Sequence, residues 1–183
     1  AAVVLAQAAS AAYDSCFSLH LRQLGFGPSF TGAAWAAAIL AEIGLMVAIS
    51  GLMARGHAPR LFAWSLVVAV VRWGLLGWVV SGTAIVAMQP LHALSFGLYY
   101  IAAVTTVRDR APPEVATAAQ GLFAAAAGLG SLVGMLVAGP IFARYGGGVM
   151  FFASAAVAMV GAVFAARYAT LVARSSRSAV AAA

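Results

Sequence analysis

Four ionisable side chains lie inside four separate apolar segments of this chain: Asp14, Glu42, Arg72 and His92. A charge at the centre of a bilayer costs at least about 2.5 kcal/mol, so such residues usually pair with one another or face a watery cavity. A sequence that keeps both signs of charge at this depth is typical of proteins that move solutes or protons across a membrane. The rest of the chain must therefore supply a bundle that shelters these groups.

The composition identifies an integral membrane protein. Hydrophobic residues make up 64% of the 183 residues and charged residues only 8%, too few to cover a soluble domain of this size. The net charge of +6 does not indicate nucleic-acid binding, because the arginines are scattered singly between apolar runs. Cys16 is the single cysteine, which excludes an intrachain disulfide and a cysteine-rich metal site.

Six apolar runs are each long enough to cross a membrane, which takes about 20 residues. They cover residues 2–21, 31–53, 61–80, 84–107, 115–138 and 147–169. We therefore predict an all-α membrane protein in which residues 1–173 form one six-helix domain. Residues 174–183 are predicted to be a disordered cytoplasmic tail.

The arginines also predict an orientation. Six crossings place both termini on one side, and that side carries most of the arginines: Arg55, Arg60, Arg108, Arg110, Arg174 and Arg177. The opposite loops hold only Arg22 and Arg144. Because positive residues are enriched in cytoplasmic loops, both termini are expected in the cytoplasm, with the protein in the inner cell membrane.

Two similar loops suggest an internal repeat. A Gly/Arg pattern at 51–56 ends the second helix, and a related pattern at 139–146 ends the fifth. The two loops fall on opposite faces of the membrane, as an inverted-topology repeat requires. The predicted units are three helices each, at about 1–82 and 83–173, although chance likeness of glycine-rich turns remains an alternative.

The buried ionisable groups lie at a common depth. At 1.5 Å per residue, Asp14, Arg72 and His92 lie roughly 10–15 Å below the outer surface, and Glu42 about 16 Å. Solute and ion sites of transporters occur at this level near the bilayer midplane. The sequence therefore predicts one shared site, and not four unrelated polar residues.

Each residue of this site has a predicted role. Arg72 is a permanent positive charge that can hold the carboxylate of an anionic substrate, or can pair with Glu42 or Asp14. Glu42 is the first choice as proton carrier and Asp14 the second, with a static ion pair as the alternative. His92 titrates nearest neutral pH and is predicted to relay a proton or contact substrate, with a structural histidine as the alternative.

Further substrate contacts are predicted for Gln89, Tyr99, Trp35 and Asp14. Pro90 removes a helical hydrogen bond beside His92 and predicts an irregular helix there. No metal site is expected, because the buried acids and His92 lie on different helices without ligand-type spacing.

Several segments resemble the major facilitator superfamily, in particular its phenylpropionate-permease-like, lactose-permease-related branch. The run from Leu91 to Val104, followed by the Arg-Asp-Arg-Ala-Pro-Pro-Glu sequence at 108–114, resembles helices ten and eleven of that superfamily. The Tyr13-Asp14, Trp35 to Glu42 and Arg72-Trp73 segments are similar to its helices seven, eight and nine. The resemblance implies that residues 1–183 are half of a twelve-helix carrier that needs an N-terminal six-helix half or a partner chain.

The resemblance also implies a function: symport of protons with a small organic anion such as an aromatic acid. Such a carrier is not an enzyme, uses no cofactor beyond the proton gradient, and has the lipid bilayer but no nucleic acid as a partner. The chain departs from the pattern where Ser95 and Phe96 replace a carboxylate one turn after the histidine, and where Ala54 replaces a loop acid.

Two alternatives stay open. The first is a sugar or nucleoside symporter, which would use Asp14, His92 and Gln89 for hydroxyl contacts. The second is a non-transporting polytopic membrane subunit, in which the buried charges would only fix helix packing.

Overall fold

A computed structural model describes residues 1–53 and 57–181, with side chains described for 1–49 and 57–175. Within these residues the structure is helical throughout and contains no sheet, in agreement with the predicted class. The helices are α1 (Ala2–Gln23), α2 (Pro28–Met53), α3 (Ala58–Trp78), α4 (Gly82–Ala87), α5 (Pro90–His92), α6 (Leu98–Arg110) and α7 (Ala116–Ala181). A π-helical turn, Ala93–Gly97, joins α5 to α6, and a 3-10 turn, Pro113–Val115, precedes α7.

The segment from α4 to α6 is one interrupted helix, and Pro90 explains the interruption. Proline has no N–H to donate, so the carbonyl of Val86 instead accepts from the backbone N–H of Gln89, at 3.0 Å. The Ile85 carbonyl then lacks its helical donor, the backbone N–H of Gln89, and accepts instead from Gln89 Nε2 at 3.0 Å. Gln89 therefore repairs the break with both its backbone and its side chain, and the irregularity expected beside Pro90 is confirmed.

The segment α7 consists of two helical arms. Gly146 has φ 81° and ψ 172°, a non-helical conformation open to glycine, and it separates the first arm, 116–145, from the second arm, 147–181. The predicted loop at 139–146 is therefore wrong for all but its last residue, because helix continues through Pro140 to Tyr145. Part of the matching loop at 51–56, including Arg55 and Gly56, lies outside the described residues.

By length and composition, four helical segments of the described chain can cross a membrane: Pro28–Ile49, Ala58–Trp78, Gly82–Arg110 and Pro113–Ser175. The last segment has 63 residues, three times the length of one crossing, and is divided at Gly146. The helix α1 is long enough but more polar, since it carries Gln7, Asp14 and Arg22. The backbone stays helical to Ala181, and the disorder expected for 174–183 stays a prediction.

Two apolar clusters form the core, one at each end of the bundle. The far cluster, at the end opposite the chain termini, includes Phe17, Trp73, Ile85 and Phe151. The near cluster, at the end with the termini, includes Phe62, Leu66, Ala102 and Ala165. Most buried polar side chains of the middle helices lie where the two clusters meet: Arg72, Gln89, His92 and Ser95.

The helix α1 packs mainly against α7. A methyl group added at Gly130 or Gly134 would collide with the backbone carbonyls of Val4 and Ala8. Glycine at both positions thus allows close backbone contact between α1 and the first arm of α7. This contact fixes the polar residues of α1 relative to the rest of the bundle.

Candidate functional site

Arg72 is the centre of the buried polar layer. Its side chain is only 1% exposed, and the guanidinium carbon lies 4.1 Å from the ring centre of Tyr13 and 4.4 Å from that of Trp73. Its Nη1 donates to Ser95 Oγ at 3.4 Å. Guanidinium groups stack well on aromatic faces, so the two rings hold this cation in a defined plane.

Tyr13 is in turn held by Gln89. The Tyr13 hydroxyl donates to Gln89 Oε1 at 3.1 Å, while Gln89 Nε2 bonds the Ile85 carbonyl. The sequence predicts a substrate contact for Gln89, but both ends of its amide are occupied by structural hydrogen bonds here. Its observed role is to connect the break near Pro90 to the ring that covers Arg72.

Glu42 and His92 form the second part of the site. His92 Nε2 lies 3.3 Å from Glu42 Oε1, with the two side chains 7% and 18% exposed respectively. The π-helical turn that follows His92 packs against α2, and Gly97 in that turn faces the Glu42 side chain. Single π-helical turns occur frequently at functional sites, because they re-aim side chains within a helix.

Asp14 lies at the edge of the layer. It is exposed in this structure, on a face of α1 that also carries Ser18, whereas Tyr13 and Phe17 point into the core. Arg72 interacts electrostatically with both Asp14 and Glu42. Among the described side chains, however, neither acid forms an ion pair with Arg72: the neighbour of Glu42 is His92, and Asp14 forms no ion pair there.

Trp35 and Tyr99 have different positions. Trp35 is half-buried, donates from Nε1 to Ser18 Oγ at 3.3 Å, and packs 4.8 Å from the Tyr13 ring, so it belongs to the site. Tyr99 is buried in the near cluster, 5.5 Å from the Phe62 ring. The structure thus places five of the seven predicted residues together, with Asp14 at the edge and Tyr99 outside.

Four polar atoms in this site are buried and lack a hydrogen-bond partner: Arg72 Nη2, Glu42 Oε1, His92 Nδ1 and Trp73 Nε1. The 3.3 Å contact between His92 Nε2 and Glu42 Oε1 is close but lacks hydrogen-bond geometry. An unsatisfied buried polar group costs about 1–3 kcal/mol, more if it is charged. Such atoms therefore favour the binding of a polar ligand or a change of protonation at this site.

Three contributors were not predicted as site residues: Tyr13, Trp73 and Ser95. Tyr13 neighbours the polar face of α1 but points into the core at the four-residue spacing of Ala9, Tyr13 and Phe17. That spacing is the signal for an inward-facing Tyr13 in the sequence. The contact of Ser95 with Arg72 required the relative positions of α3 and the π-helical turn, which no single segment contains.

Comparison with known proteins gives a family match. The model of the MFS_1-like family matches residues 1–153, most of the chain. The probable 3-phenylpropionic acid transporter of Escherichia coli (strain K12) is 29% identical over 159 residues, which is 87% of this chain and 42% of that protein. The chain thus spans less than half the length of this relative.

No solved structure gives a significant match to the chain. The family match agrees with the long apolar helices and with the polar layer between two apolar clusters. The chain belongs to the MFS_1-like family, whose members are membrane transporters and not enzymes.

Proposed function

We propose that this chain is the six-helix half of a proton-coupled symporter for a small organic anion, with an aromatic acid as the preferred substrate. The observation that supports this most directly is the environment of Arg72. A buried cation packed against two aromatic rings, with Nη2 unsatisfied, offers a charged hydrogen bond to a carboxylate within an aromatic environment.

The Glu42–His92 pair supplies the proton step of the proposal. Glu42 interacts electrostatically with Arg72 and remains 18% exposed, so water can reach it. A proton on Glu42 removes its attraction for Arg72 and leaves the guanidinium to the substrate. His92, 3.3 Å away, is the proposed relay, and Asp14 is the second proposed proton carrier.

The proposed architecture has six crossings: α1, α2, α3, the interrupted helix 82–110, and the two arms of α7. Two inverted three-helix units, about 1–82 and 83–173, make half of a twelve-helix carrier. The exposed face of α1 with Asp14 and Ser18 then faces the cavity shared with the other half. Both termini are proposed to be cytoplasmic in the inner membrane.

The similarity to a protein whose name specifies 3-phenylpropionic acid supports an aromatic acid as substrate. Proteoliposomes containing the complete carrier test the proposal by uptake of radiolabelled 3-phenylpropionate under an imposed proton gradient. Arg72→Ala removes a charged hydrogen bond worth about 1.5–3 kcal/mol, so the apparent affinity falls roughly 10- to 100-fold. Arg144→Ala, an exposed arginine at the far end, is the matched control and keeps normal uptake.

Competition distinguishes the proposed substrate class from the alternatives. Unlabelled benzoate-like acids reduce uptake, whereas sugars and nucleosides at the same concentration do not. Inhibition by sugars alone would point to the hydroxyl-binding symporter. Uptake that is independent of the gradient and unchanged in both Arg72→Ala and Glu42→Gln would contradict the proposal.

A further inference from the structure

A separate pocket lies at the end of the bundle that carries the termini, between the start of α3 and the end of α7. Its volume is about 290 Å³, and it is lined by Arg60, Ala169, Thr170, Ala173 and Arg174. It shares no residue with the buried polar layer around Arg72. The pocket is therefore a site distinct from the one around Arg72.

The shape of the pocket follows from small residues on the second arm of α7. Ala169 and Ala173 are four residues apart and so lie on one face of the helix, one above the other. Their methyl groups leave room beside α3, where larger side chains would fill the gap. Arg60 and Arg174, both exposed, stand at the rim of this space.

The charge of the pocket is positive. Among the five described residues that line it, two are arginines and none is acidic. Guanidinium groups present planar donor pairs that match the oxygens of a phosphate group, often in a bidentate arrangement. A pocket with two of them is suited to an anionic group such as phosphate.

The position of the pocket selects the source of the phosphate. Arg60 is the third residue of the span Ala58–Trp78, and Arg174 is the last but one residue of the span Pro113–Ser175. Arg174 also lies five residues beyond the apolar run 147–169. Both arginines are therefore placed where apolar helices leave the hydrocarbon layer, at the level of lipid headgroups. Basic pockets between membrane helices at this level are suited to the headgroups of anionic lipids.

We infer that this pocket binds the phosphate group of an anionic membrane phospholipid. The two arginines hold the headgroup phosphate, and the acyl chains lie along the apolar surfaces of α3 and the second arm of α7. Bound lipid in this position connects two helices from different halves of the chain.

Native mass spectrometry of the complete carrier, released from nanodiscs of phosphatidylcholine with phosphatidylglycerol, tests the inference. The wild type retains phosphatidylglycerol, and Arg60→Ala or Arg174→Ala each lowers its apparent affinity about fivefold, as expected for one basic residue near an anionic headgroup. The matched control is Arg167→Ala, an exposed arginine on the same arm but outside the pocket, and it retains the lipid as the wild type does.

Three outcomes would overturn the inference. The first is equal retention of phosphatidylglycerol by wild type, Arg60→Ala and Arg174→Ala. The second is an equal loss in Arg167→Ala, which would indicate diffuse surface attraction. The third is displacement of the lipid by inorganic phosphate at equal concentration, which would indicate a site for a soluble anion. Unchanged thermal unfolding of the variants in detergent ensures that lost lipid reflects the pocket and not the fold.

Discussion

The two parts of the polar layer differ in how firmly the protein holds them. Arg72 is almost fully buried, packed against two rings, and hydrogen-bonded to Ser95. The acids are less enclosed: Glu42 keeps an exposed fraction of 18%, and Asp14 lies on an exposed face of α1. One sign of charge is thus enclosed in the bundle, while the other sign lies at or near its exposed surface.

This difference suits two separate roles, substrate binding by Arg72 and proton exchange by the acids. A guanidinium is charged at every accessible pH, so it needs no access to protons. Enclosing it fixes its orientation. A carboxylate that exchanges protons needs a path to water. The four predictions that follow test this division, in order of decreasing expected effect.

Glu42→Gln is expected to abolish accumulation of substrate against its gradient, because the amide cannot carry a proton. Exchange of labelled for unlabelled substrate persists, because Arg72 still binds. The measurement compares gradient-driven uptake with counterflow in proteoliposomes. Asp14→Asn is the matched control and lowers accumulation less; a larger effect at Asp14 would make Asp14 the principal proton carrier.

Arg72→Lys keeps the charge but loses the planar group that stacks on Tyr13 and Trp73. We expect the apparent affinity for an aromatic acid to fall about tenfold, since bidentate and stacked arginine sites do not accept lysine. The KM for uptake measures this, together with the maximal rate. Wild-type KM in Arg72→Lys would mean that charge alone matters and that the two rings are only packing.

Tyr13 allows the ring and the hydroxyl to be separated. Tyr13→Leu removes the ring over Arg72, a contact worth about 2 kcal/mol when desolvated. Tyr13→Phe keeps the ring and loses only the hydrogen bond to Gln89, about 1 kcal/mol. The unfolding temperature in detergent should fall, and the KM for uptake should rise, from wild type to Tyr13→Phe to Tyr13→Leu. Equal effects of the two substitutions would show that the ring contributes nothing to the stability or the binding.

Gly97→Ala is expected to have the smallest effect. The added methyl group would lie 3.7 Å from Glu42 Oε1 and 3.4 Å from Leu45 Cδ2, which are ordinary contact distances. Uptake and its dependence on the proton gradient should therefore stay close to wild type. A marked loss of coupling would show that Glu42 needs free space on this side in order to move.

Much of the fold was predictable because it depends on local composition and spacing. Apolar runs broken by glycine and proline predicted the helical class, and Pro90 predicted the irregular helix. The failure at 139–145 has a physical cause: Gly139-Pro140 normally marks a turn, but the helix continues, and Gly146 takes the non-helical conformation instead.

The site was predicted in part. Charged residues in apolar runs are conspicuous, so Glu42, Arg72 and His92 were found from the sequence. The side chains that contact Arg72 were not predicted, because contacts between helices depend on helix rotation and crossing angles that no single segment encodes. The sequence therefore suggested an ion pair for Arg72, where the structure has two rings and a serine.

By itself the sequence determined that this chain must bury a few charges within a helical membrane bundle, because the cost of charge in hydrocarbon leaves few other solutions. Only the tertiary structure decided which sign is enclosed and which lies at the exposed surface of the bundle. Close packing of α1 against α7, and the π-helical turn after His92, set those positions. Both features arise from contacts between residues far apart in the chain.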